Sequence, residues 1–147
     1  MSAYKHIKIF EDFVAGNVGG KRNPKWKFFS NRAKNMVPAP EVIVSPEDDE
    51  TEILSWGSTV DPSMKYGVAI SSPSSEFPEE QITFWLEDPY LLKEIEMWWR
   101  KRGYKMIPGE VPSSGDDPEK TPRVYINFEK ADQVVRDLGS FFKEFPL

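Results

Sequence analysis

Apolar residues recur along this chain with two different periods, and the change from one to the other divides it. Ile7, Phe10, Phe13 and Val14 fall at helical spacing, and Trp26, Phe29, Ala33 and Met36 do so again. Between them, Gly16-Asn17-Val18-Gly19-Gly20-Lys21-Arg22-Asn23-Pro24 should interrupt any regular element. The first 36 residues therefore predict two short helical segments around a flexible joint. Met36-Val37-Pro38-Ala39-Pro40 reads as a stiff, extended link, because each proline biases its predecessor away from helix.

From Glu41 the pattern shortens to β-like runs: Glu41 to Ser45, Glu52 to Trp56, Tyr66 to Ser71 and Gln81 to Glu87, each rich in Val, Ile, Thr or aromatics. Their connections carry Pro, Gly, Ser and acidic residues, and loops this short favour antiparallel neighbours. A helix follows. Asp88 suits its N-cap, Pro89 its first position and Gly103 its C-cap, while Leu91, Leu92, Ile95, Trp98 and Trp99 share one face. Tyr104 to Ile107 and Arg123 to Phe128 predict strands around a long hairpin loop, Pro108 to Pro122. A last amphipathic helix is marked by Ala131, Val134, Val135, Leu138, Phe141, Phe142 and Phe145.

These elements define an α+β fold: a mostly antiparallel sheet of five or six strands packed with two amphipathic helices, plus a helical N-terminal arm. A two-layer sandwich is the simplest way to bury both helical stripes. Residues 1–40 are expected to form a basic helical arm with its Pro-rich link, and residues 41–147 the body. A hydrophobic fraction of 39% with 14% aromatics is too apolar for a disordered chain, and 147 residues suffice for one core. There is no Cys, hence no disulfide framework or thiolate metal site. No apolar run approaches a membrane span and no export signal is legible, so a cytoplasmic location is expected.

The net charge of -5 conceals an asymmetry. Residues 1 to 36 hold eight Lys/Arg against Glu11 and Asp12, a net of +6, and the remaining 111 hold eleven against 22 Asp/Glu, a net of -11. The basic quarter is thus expected to meet something negative: nucleic acid, an acidic protein face, or its own body.

Catalytic signatures are scarce. The spacing from Gly16 to Gly20-Lys21 is one residue short for a phosphate loop, and Arg22 stands where that loop needs a hydroxyl, so a hinge is the better reading. His6 is the single histidine and has no metal-ligand spacing around it. The carboxylates Glu47-Asp48-Asp49-Glu50, Glu79-Glu80, Glu87-Asp88 and Asp116-Asp117 read as solvated loop charge or, for Asp88, as a cap. The serines of Ser71 to Ser75 and Ser113-Ser114 lie in turn-like stretches without a nucleophile motif. No catalytic residue, metal or cofactor is expected.

The strongest functional signal alternates cations with rings. Lys21, Arg22, Lys25, Trp26, Lys27, Phe28, Phe29, Arg32 and Lys34 form the candidate binding set. Such a mixture suits a helix whose rings dock on a protein while its cations face an acidic rim. It also suits phosphate neutralisation with base stacking. Arg100, Lys101, Arg102 and Lys105 form a second basic group, of the kind that complements a helix C-terminus.

Finally, Tyr4-Lys5-His6-Ile7-Lys8-Ile9-Phe10-Glu11-Asp12-Phe13-Val14 resembles the short Lys-x-Ile-Lys-x-Phe-Glu-x-Phe beginnings of proteins from large contractile-tailed bacteriophages. The resemblance implies a phage-encoded virion component and supplies no binding residues for the body. The expected function is that of a non-enzymatic binding or assembly protein docking on protein subunits through its basic aromatic arm. A nucleic-acid-binding accessory protein and an inhibitor of a host protein are the alternatives.

Overall fold

The computed structural model describes residues 20–45, 51–74, 79–113 and 118–147. Its elements follow the expected order: α1 (Pro24–Ala33), β1 (Glu41–Val44), β2 (Glu52–Gly57), β3 (Gly67–Ser71), β4 (Gln81–Trp85), α2 (Pro89–Lys101), β5 (Met106–Ile107), β6 (Arg123–Tyr125) and α3 (Ala131–Glu144). Short 3-10 turns precede α1, β6 and α3. The strands form one six-stranded sheet in the order β1-β2-β3-β4-β6-β5, with antiparallel pairing throughout. The chain leaves β4 through α2 to the far edge at β5, and β6 then returns between the two.

Local signals terminate the helices as their sequences suggest. Asp88 caps α2 by accepting from the Tyr90 N–H at 2.9 Å, with Pro89 in the first turn. At the other end Gly103 takes φ 87°, its N–H donates to Arg100 O, and the Tyr104 N–H reaches Trp99 O. That bond pattern is a Schellman motif, and the accompanying apolar contact is the Trp99–Tyr104 ring pair at 5.0 Å. On α1, Asn23 Oδ1 accepts from both the Lys25 and Trp26 N–H groups ahead of Pro24.

Alternation along the strands sends one set of side chains to the helices. Leu54 and Trp56 of β2, Val68 and Ile70 of β3, Ile82 and Phe84 of β4, Met106 of β5 and Val124 of β6 are all buried. The register aligns them across the sheet: Leu54 opposite Ile70, Trp56 opposite Val68, Val68 opposite Phe84, and Ile82 and Met106 opposite Val124. Against this face lie Leu92, Ile95, Trp98 and Trp99 of α2, and Val134, Leu138, Phe141 and Phe142 of α3. The opposite face carries Thr83, Trp85, Arg123 and Tyr125, which are half-buried.

The third helix departs from expectation. Trp26, Phe29 and Ala33 of α1 have no exposed surface and belong to the same core as the strands and the other helices. Residues 24–36 are therefore a packed part of the body, not an outreaching arm. Trp26 and Phe29 meet Phe128, just before α3, with ring centroids 5.3 and 4.9 Å apart. The reason is amphipathic spacing: the rings sit three residues apart, so both face inward together. The Pro-rich link is fastened as well, because Pro38 O accepts from Trp56 Nε1 at 2.9 Å. The other helical segment expected, Ile7 to Val14, lies outside the described residues.

Two tyrosines bind the C-terminal helix to the rest. Tyr66 donates to Phe145 O, and Tyr104 donates to Asp137 Oδ2. Burial raises the Tyr66 hydroxyl well above its ordinary pKa of 10.0, and burial followed by the Asp137 carboxylate does the same for Tyr104. The unfolded chain loses these protons near pH 10 while the folded one retains them. Their contribution is thus complete below pH 10 and declines as pH rises above it.

Two outcomes are expected. Phe29→Ala should lower stability by about 3–5 kcal/mol in urea unfolding, the loss typical of a fully buried ring and far above that of an arm residue. The urea midpoint should fall as pH rises above 10, and Tyr66→Phe with Tyr104→Phe should flatten that fall.

Candidate protein-docking interface

The structure disperses the candidate binding set. Trp26 and Phe29 are sealed in the core and cannot stack on a base or enter a partner's pocket. Phe28 is partly exposed at 40%, but the Arg32 guanidinium covers its ring at 3.7 Å. Three cations are engaged with acids of the same chain: Lys25 with Glu129 at 3.4 Å, Arg32 with Asp132 at 2.8 Å and Lys34 with Glu52 at 3.1 Å. The first two lie on the side of α1 that faces α3. Lys21, Arg22, Lys27 and Lys34 line a groove on the other side, together with Ser30, Asn31 and Glu52.

Glu52 is the hinge of this arrangement. It begins β2, is 8% exposed, and accepts from buried Trp26 Nε1 at 3.0 Å and from Lys34 Nζ. Its N–H and C=O both pair with Ser72, the N–H through Ser72 Oγ. A carboxylate this buried persists because a cation and an indole N–H satisfy it. The positive charge of α1 is thus largely met by the body's negative charge. Among the described residues, part of the charge asymmetry is met within the chain itself.

Several of the remaining sequence candidates hold the fold together. Glu80 Oε1 accepts from the Phe128 N–H at 2.6 Å and sets the turn before α3. Ser113 Oγ accepts from the Leu86 N–H and lies within hydrogen-bonding distance of Phe84 O and Leu86 O, tying the hairpin loop to β4. In the second basic group, Arg100 bonds Glu96 and Met106 O, while Arg102 lies over the Trp98 ring at 3.4 Å. His6, Gly16 to Gly19, Glu47 to Glu50, Ser75 and Ser114 to Asp117 lie outside the described residues. Among the described residues, no group of three or more His, Cys, Asp or Glu side chains is arranged to hold a metal ion. No described helix is long and apolar enough to cross a membrane.

One exposed apolar feature that sequence reasoning passed over is β1. Every residue of Glu41-Val42-Ile43-Val44 is exposed, with Val42 at 42%, Ile43 at 37% and Val44 at 39%. The strand stands at the end of the sheet, and only β2 pairs with it among the described residues. Its free hydrogen-bonding groups can be assigned from the ladder. The Ser45 N–H donates to Thr51 O, and Glu52 directs its backbone to Ser72, so Glu41, Ile43 and Ser45 bond β2 while Val42 and Val44 point outward. Natural edges are usually blunted by charge, bulge or cover. This one presents three β-branched apolar residues instead. The available sequence signal was the pair of prolines, Pro40 and Pro46, bracketing an apolar run, since proline within sheets is confined to edges and strand ends.

The fold and this surface define a two-layer α+β protein with its helices on one face and an open apolar edge. Comparison with family models, curated proteins and solved structures gives no match.

The two kinds of α1 residue should separate by mutation. Glu52→Gln should cost about 1–3 kcal/mol, because Lys34 loses its charge partner and the Trp26 indole is left with a weaker acceptor. Lys27→Ala should change stability by less than about 0.5 kcal/mol. Paired urea titrations measure both.

Proposed function

We propose that this protein is a non-enzymatic binding or assembly module that docks on other protein through strand β1. The single supporting observation is the edge itself: an end strand with Val42, Ile43 and Val44 exposed and the backbone groups of Val42 and Val44 turned outward. Strand addition uses such an edge directly, with backbone bonds giving affinity and alternate side chains giving specificity. The docking element is then β1 and not the rings of α1, whose burial assigns them to the core. A virion setting is consistent with the resemblance of residues 4–14 to contractile-tailed phage proteins.

One observation favours a second reading. The groove of Lys21, Arg22, Lys27 and Lys34 could take phosphates of a nucleic acid. The protein reading is preferred because Glu52 lies within that groove, Trp26 and Phe29 are enclosed, and the face of the Phe28 ring is taken by Arg32.

Site-specific photocrosslinking in the expressing cell decides between them. A crosslinking residue at position 43 should form protein adducts that Val42→Pro abolishes, since proline removes an outward N–H while leaving the β2 ladder intact. A crosslinker at position 27 should form none with nucleic acid. Absence of protein adducts at 43, or nucleic-acid adducts at 27, would overturn the reading.

A further inference from the structure

Edge β1 is complementary to itself in one register, and we infer that its partner is the β1 strand of a second copy of this chain, paired antiparallel about a twofold axis at Ile43. This rests on the docking reading above and names its partner. A twofold axis perpendicular to the sheet keeps both helix layers on the same side, so opposed residues must face the same way. The axis must therefore pass through a residue and not between two.

Centring on Ile43 sets Val42 opposite Val44 of the second copy. These are the residues whose N–H and C=O groups face outward, so each such pair can exchange two backbone hydrogen bonds. The two Ile43 side chains meet at a non-hydrogen-bonded position, where strands approach most closely, and β-branched pairs there stabilise a sheet. Glu41 falls opposite Ser45, so no like charges are opposed.

The neighbouring registers are poorer. An axis at Val42 places Pro40 opposite Val44, where an N–H is needed and proline has none. An axis at Val44 opposes only Ile43 with Ser45 and Val44 with itself among the described residues, whereas the Ile43 axis pairs all of Glu41 to Ser45. Pro40 and the length of the strand thus select the Ile43-centred pairing from the alternatives. It would join two six-stranded sheets into one continuous sheet. Both copies would also bring Val42 and Val44 together on the helix side, where each is now exposed.

A strand pair of this length lies at the weak end of specific interfaces, so association should depend on concentration within the accessible range. Sedimentation equilibrium of the full chain up to about 1 mM tests it, with Val42→Pro and Ile43→Lys as variants. Both changes lie on exposed positions of the free edge, and urea midpoints confirm that each variant folds. The expected result is a monomer–dimer equilibrium whose dissociation constant rises at least ten-fold in each folded variant and is little changed by added salt. A monomer across the whole range would overturn the inference, as would a dimer that both folded variants leave intact. A monomeric chain that still crosslinks to other proteins at position 43 would remove the second copy as partner while keeping the docking reading. Absence of both would remove the two together.

Discussion

Phe141 sits where the two main helices and the sheet converge, and the fold depends on enclosing it. Its ring lies within 6 Å of Tyr66, Phe84, Trp98, Trp99, Phe142 and Phe145, drawn from β4, α2, α3 and the segments beside them. Aromatic side chains bury more apolar surface than any others and prefer the edge-to-face geometries seen here. A single helix cannot cover such a cluster. Both α2 and α3 therefore turn their ring-bearing faces to the same side of the sheet.

The same enclosure recruits α1. Phe128 packs with Trp26 and Phe29 as a second ring cluster within the same core. Once Trp26 is buried its indole N–H needs an acceptor, and Glu52 supplies it. A buried carboxylate then needs a cation, which Lys34 provides from the last turn of α1. Part of the charge asymmetry along the chain becomes, in three dimensions, attraction between the first described helix and acids of its own body, Glu129 and Asp132 at the start of α3 and Glu52 on β2. A basic segment can read as a ligand-binding element in one dimension and be a clasp in three, because sequence separation carries no information about which acids it meets.

Helices on one face leave a sheet with an uneven boundary. At the β5 end the strand is only two residues long, which limits any further pairing. At the β1 end the helix layer leaves Val42 and Val44 exposed, and the strand keeps an apolar character that a solvent-facing edge does not need. The short length of β1 and Pro40 ahead of it keep pairing limited.

Much of this was legible in the sequence. Period and capping residues placed α2 and α3, with Asp88, Pro89 and Gly103 at the expected positions, and β-branched runs placed the strands, since both follow from local sterics and from which side chains avoid water. The antiparallel arrangement followed from loop lengths, and the bias of Trp26, Phe29 and Ala33 to one helical face was visible too. What that face meets was not, because a stripe of rings is equally suited to a partner's pocket and to its own core. Only the tertiary structure decided it, by bringing Phe128 and Glu52, about 100 and 26 residues away, against the same indole and phenyl rings. Likewise the run Glu41 to Val44 declared itself a strand, but its place at the rim depends on strand order, which is set by long-range pairing and not by any property of those four residues.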